Sequence, residues 1–404
     1  MIVEKRLLSL YICLFAVFAL FGISMTVIGA TLPKIFAEFG WSYMTAGMVI
    51  AAGSVGYFLS SYLAGILFPF LGLRFLISLS LILICCGLEF FAKTPTAWLN
   101  TMLYFIIGVG QGGIEIAVDW AVLRMEGPGG GKAMSLMHGA FSIGAVVGPL
   151  VIAILISANL EWTLVYRIMG VLFLCIAIFM QFMPFKLLGK GRGQITNRSR
   201  RDLFHQPMYW LGFFALFVYV GVELGISNWI AEYFVSVFGA PIPTGSFMVS
   251  LFWAGLLMGR FGIPIIQKSI KRERILIALS TLMAISLIAF NMIGFIGDGK
   301  LASVIAGILV ILAGFGCSII YPTIMSIIGD YFLHAQSEAV GFAAMGGGIG
   351  GFLFPYMMSA VSTGWGIRIG FAIYALFSLL MVVLNIFLVP VSYTHLTLPT
   401  IYSV

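Results

Sequence analysis

The chain has 404 residues, of which 61% are hydrophobic and only 9% charged. No soluble domain of this size hides that much apolar surface, so the composition excludes a soluble enzyme and points to a polytopic membrane protein. The formal charge of +7 comes from 21 bases against 14 acids; most of the bases fall between apolar runs, where they set topology and do not signal nucleic-acid binding.

A membrane span needs about 20 apolar residues to cross about 30 Å of hydrocarbon. By that rule twelve spans are expected: 7–33, 43–67, 73–92, 97–124, 134–157, 163–184, 208–236, 246–267, 274–295, 301–325, 337–361 and 367–390. The first run is too long for a cleavable signal peptide. One long polar stretch, 185–207, carries Lys186, Lys190, Arg192, Arg198, Arg200 and Arg201. It divides the chain into an N-terminal six-helix bundle (1–184), a basic cytoplasmic linker (185–207) and a C-terminal six-helix bundle (208–391). Residues 392–404 are polar, lack Lys and Arg and follow a completed span; they read as a non-native tail outside the fold.

With the N-terminus inside, sixteen bases, Arg260 among them, fall on the cytoplasmic side. Five fall outside: Lys34, Lys93, Arg167, Lys300 and Arg368. That asymmetry predicts cytoplasmic termini and an inner or plasma membrane location. The halves also repeat. Gly108 and Gly110 recur as Gly314 and Gly316, Gly144 and Pro149 as Gly350 and Pro355, and Gly53 as Gly259, each pair 206 residues apart. Parallel repeats of six spans suggest a transporter with its site between the halves, near the midplane.

Acids inside apolar spans are functional candidates by their cost alone. In span 4, Gly108, Gly112, Glu115 and Asp119 follow i, i+4, i+7, i+11 spacing and share one helix face. At 1.5 Å per residue, Glu115 lies about 6 Å and Asp119 about 12 Å from the span's midpoint. Desolvation disfavours the charged form, and two acids one turn apart can share a proton and titrate as a unit. Glu115 and Asp119 are therefore the candidates for proton coupling, Asp119 having Arg124 at the helix end as an alternative partner. In span 7, Glu223 lies about 3 Å from the middle. Its flanking Gly221 and Gly225 predict an interrupted helix that opens polar groups to a solute. Asn228 offers donors and an acceptor for hydroxyls, and Trp229 an apolar face for a sugar ring. Tyr321, beside Pro322 in span 10, stands opposite Glu115 in the repeat. Glu223, Asn228, Trp229 and Tyr321 form the candidate solute set, and His138 at the start of span 5 is a possible proton relay.

On these residues the chain resembles the major facilitator superfamily over its whole length to about Val391. Within it, Gly-x-Gly-x-x-Gly-Ile-Glu115-x-x-x-Asp119 and Tyr219-Val-Gly-Val-Glu223-Leu-Gly-Ile-Ser-Asn-Trp229 are similar to the fucose–proton symporter-like family. The resemblance implies an all-α major facilitator fold, alternating access, a monomer, and symport of a small sugar-like solute with protons. It departs in three places. Gly29 stands where that family has a span 1 acid, Asp119 stands where it has an amide, and Gly65 to Arg74 lacks the usual Asp between spans 2 and 3. Gly139, Gly144, Gly148 and Pro149 approach the antiporter motif of span 5, so proton-driven efflux of a drug or metabolite is the alternative. The expected partners are solute, protons and the lipid bilayer. No P-loop, metal cluster or nucleophile–base spacing is present, and no cofactor or nucleic acid is implied.

Overall fold

In the computed structural model the described residues are 5–126, 132–188, 203–266, 270–297, 299–332 and 335–397. Most of the expected central linker (189–202) and the end of the expected tail (398–404) lie outside them, as do the side chains of 65–70. Thirteen α-helices occupy the described residues: α1 Leu8–Phe39, α2 Tyr43–Leu71, α3 Leu73–Phe90, α4 Ala97–Glu126, α5 Lys132–Ser157, α6 Leu164–Met180, α7 Pro207–Phe238, α8 Ile242–Ile266, α9 Arg272–Ile296, α10 Lys300–Cys317, α11 Ile320–Tyr331, α12 Gln336–Trp365 and α13 Ile367–Thr397. Eleven segments are long and apolar enough to cross a membrane, α10 and α11 together making one; α6, of 17 residues, is a twelfth apolar helix. This is an all-α, multi-pass membrane protein.

Several boundaries differ from the sequence expectation. Helix α1 runs through Pro33 to Phe39, past the expected end at 33; within a bundle the lost backbone bond is tolerated because neighbouring groups re-satisfy the freed carbonyl. It stops at Gly40, whose left-handed φ of 64° turns the chain and sends its N–H to Phe36 O. Helix α7 stops in the same way at Gly239, φ 62°. The expected interruption of span 7 at Gly221 and Gly225 is absent, since α7 is one continuous helix of 32 residues. Those glycines serve close packing: a Cβ would strike the Phe354 ring at Gly221 and the Tyr374 ring at Gly225. The interruption lies in span 10, between Cys317 and Ile320. At the far end, α13 remains helical to Thr397, beyond Val391.

The helices gather in two compact units, residues 1–195 with 241–250 and residues 196–240 with 251–404. In each, paired helices approach at glycines, as expected where van der Waals packing drives association. In the first unit a Cβ on Gly108 would sit 1.9 Å from Gly53 O, and one on Gly144 1.9 Å from Ala19 O. In the second, a Cβ on Gly314 would sit 2.0 Å from Phe252 O and one on Gly350 1.9 Å from Phe217 O. These contacts correct the repeat register. Gly108 to Gly314 and Gly144 to Gly350 keep the 206-residue spacing. The structural counterpart of Gly53, however, is Phe252, 199 residues on, and not Gly259. Gly56 over Phe105 O and Gly255 over Ile311 O repeat the same 199 and 206. The difference is seven residues, and α9 has 25 residues where α3 has 18.

Candidate functional site

In the first unit, α4 carries Gln111, Glu115 and Asp119 four residues apart, so they stack along one stripe. Gln111 is buried and its Nε2 donates to Ser24 Oγ on α1 at 2.9 Å. Ser24 Oγ in turn donates to Phe21 O at 2.8 Å. One turn on, Glu115 is half-buried. A further turn on, Asp119 Oδ1 lies 3.6 Å from His138 Nε2 on α5. That distance puts the two groups side by side, beyond hydrogen-bond reach. The imidazole is held edge-on to Phe18, ring centroids 5.6 Å apart. Arg124, the alternative partner for Asp119, lies 3.9 Å over the Trp120 ring and donates to Leu188 O at 3.2 Å. The structure therefore groups Glu115, Asp119 and His138, two acids and an imidazole, along one side of α4.

In the second unit a different cluster forms around Glu223. Tyr219, one turn earlier on α7, places its hydroxyl 2.6 Å from Glu223 Oε1 and 3.0 Å from Cys317 O. Arg260 of α8 brings Nη2 to 3.9 Å from the same Oε1 and donates from Nε to Ser318 O at 3.3 Å. The two acceptors at 317 and 318 are products of the break in span 10. In an unbroken helix Ser318 O would accept from residue 322, but Pro322 has no N–H. The freed carbonyl takes its hydrogen bond from Arg260 instead. Ser318 Oγ is also buried, and it makes no hydrogen bond among the described residues.

Arg260 lies inside α8, Ile242–Ile266, and its side chain is four-fifths buried. Sequence reading missed it as a site residue. Its position six residues inside the helix end is the signal, since a base there must find an acid or a carbonyl.

The other candidates divide. Tyr321 joins the cluster, its ring centroid 6.3 Å from that of Tyr219. Asn228 and Trp229 are both buried, Trp229 completely. At 100° per residue they point about 140° and 120° away from Glu223 around α7. The structure does not bring either onto the Glu223 face. That face continues to Ser227, whose Oγ accepts from Trp253 Nε1 at 2.8 Å.

A sequence model of the Major Facilitator Superfamily matches residues 14–312 and 301–400. The chain belongs to the major facilitator superfamily. Protein TsgA of Escherichia coli O1:K1 is 26% identical over 346 residues, covering 83% of each chain. Among solved structures, a mutant of the nucleoside transporter NupG matches with a TM-score of 0.77 at 14% identity, over 95% of this chain and 100% of that one. A D-xylose–proton symporter matches with a TM-score of 0.76 at 15% identity, over 95% and 97%. At these identities the likeness to the two structures is one of fold. As a superfamily member the chain is a transporter of small solutes and not an enzyme.

Proposed function

We propose that the protein takes up a small, neutral, sugar-like solute together with protons by alternating access, as a monomer in the inner or plasma membrane with both termini cytoplasmic. The observation that carries this reading is the α4 stripe, in which Glu115 lies one turn from an Asp119 that faces His138 at 3.6 Å. Such a group holds a proton on one side of the membrane and yields it on the other, because burial penalises its charge and neighbouring titratable groups exchange protons within it. Glu115 and Asp119 are assigned to coupling, with His138 added from the geometry. Glu223 and Tyr321 are assigned to the solute, and Asn228 and Trp229, which point to other sides of α7, are left out of that set. The fold shared with a D-xylose–proton symporter and a nucleoside transporter favours a polyhydroxylated solute class. The distribution of bases along the sequence, sixteen against five, supports the orientation.

The test is uptake into proteoliposomes of labelled pentoses, hexoses and nucleosides, with and without an inward proton gradient. One solute should accumulate, and the accumulation should collapse with the gradient. Glu115→Gln should lose gradient-driven accumulation while keeping solute exchange at equal pH. Equilibration that ignores the gradient would reduce the protein to a uniporter. No flux of any of these solutes, combined with export of amphipathic cations, would establish efflux instead.

A further inference from the structure

Tyr219 has one hydroxyl proton and two acceptors for it, Glu223 Oε1 at 2.6 Å and Cys317 O at 3.0 Å. The proton can serve only one of them well at a time. The acceptors differ in kind. One is an acid that gains and loses charge; the other is a carbonyl at the break of span 10, freed because the helix ladder stops there. We propose that Glu223, Tyr219 and Arg260 form a second proton site, separate from the α4 acids, which reports the protonation of Glu223 to the broken span.

With Glu223 ionised, its carboxylate is the stronger acceptor and draws the Tyr219 proton, and Arg260 supplies the compensating charge at 3.9 Å. When Glu223 takes a proton from water, its new O–H donates to the phenolic oxygen of Tyr219. The Tyr219 proton then turns to Cys317 O. Arg260 now faces a neutral acid and keeps its bond to Ser318 O. No bond to carbon changes, and the cluster gains one positive charge. Both carbonyls of the break are then held, so protonation ties α10 and α11 to α7 and α8, and deprotonation releases the tie at Cys317.

The groups facing Glu223 within the unit are few. Tyr219 lies on α7, Arg260 on α8 and Tyr321 on α11. On α10 is Cys317, whose thiol lies 3.3 Å from Met283 Sδ of α9. Tyr374 of α13 packs against Gly225 and the Phe354 ring of α12 against Gly221, each glycine two residues from Glu223 on α7. Arg260 is the only permanent cation among them, and Glu223 the only group there whose ordinary titration range lies on the acid side of neutrality.

The inference extends the proton-coupled reading above, but its test uses neither solute nor gradient. Protein in lipid nanodiscs is titrated while infrared spectra record the carboxylic C=O band. Hydrogen exchange is followed in parallel for the amides of 316–324, expressed as protection relative to the free chain at each pH. A carboxylic component that Glu223→Gln lacks should appear on acidification, beside the band of the α4 acids, and protection of these amides should rise several-fold in step with it. Tyr219→Phe, which keeps the ring, should retain that component but hold protection constant with pH. Carboxylic bands identical in the parent and in Glu223→Gln overturn the proposal. So does protection in the parent protein that ignores that component, a result that rests on the parent alone. Glu115→Gln should leave the Glu223 component and the protection intact, which separates this site from the coupling role of α4.

Discussion

Arg260 and Glu223 show how a single pairing decides what a residue is for. Alone, an arginine in span 8 is a topology signal; beside a buried acid and an orphan carbonyl it is a structural counter-ion. Removing one member of a buried pair is costlier than removing both, because the survivor keeps its desolvation cost without compensation. Breaking such pairs costs about 3–5 kcal/mol, and at 3.9 Å with the Arg260 side chain 20% exposed the lower end, about 3 kcal/mol, applies here. Arg260→Ala should therefore lower the thermal midpoint in detergent by that equivalent. The double change Arg260→Gln with Glu223→Gln should recover most of it, apart from the donor lost at Ser318 O. A single change as mild as the double one would remove the ion pair from the account. None of this was legible in the sequence, because the pair spans α7 and α8 and its anchor, Ser318 O, lies in the break of span 10. The spacing of Glu115 and Asp119 was legible, because both lie within one helix.

At the scale of elements, local rules recovered the spans and tertiary rules set their details. Length and apolarity are properties of a segment, so the spans could be read directly. The break in span 10 depends on Pro322, which shows that a donor is missing but not which side chain replaces it. The repeat register failed for span 2 because the seven extra residues of α9 shift everything after them, while glycines are frequent enough to align at the wrong offset. The contacts that fix the true register can be tested by substitution. A Cβ at Gly108 would meet Gly53 O at 1.9 Å and one at Gly314 would meet Phe252 O at 2.0 Å, whereas nothing lies within 4 Å at Gly341. Backbone carbonyls cannot rotate away as a side chain can, so the helices must part. Overpacking of this kind costs about 1–3 kcal/mol. Gly108→Ala and Gly314→Ala should each lower the unfolding midpoint accordingly, and Gly341→Ala should stay within about 0.5 kcal/mol of the parent. Equal effects at all three positions would dissolve the argument for glycine-mediated approach.

Across the whole molecule, the two units are repeats in backbone and not in chemistry. Glu115 has Tyr321 as its counterpart 206 residues on, and Arg260 has Ser61 199 residues before it, so neither charged group is duplicated. The first unit holds two acids against one titratable imidazole; the second holds an acid already matched by a guanidinium. In the second, the one permanent cation of the cluster lies beside that carboxylate. An anionic solute would need a base to spare, since burying its charge without one is prohibitive. A neutral solute is the expectation, and it has an electrical consequence: a neutral molecule entering with a proton carries net positive charge inward. In proteoliposomes at equal pH on both sides, an interior-negative potassium diffusion potential should therefore drive accumulation by itself, worth about 2.3 kcal/mol per charge per 100 mV. The same potential reversed should drive efflux from loaded vesicles. Accumulation that follows the pH gradient yet ignores the potential would mean that the solute brings a negative charge of its own. The matched pairs would then have to open to receive it, with Arg260 leaving Glu223 for the solute.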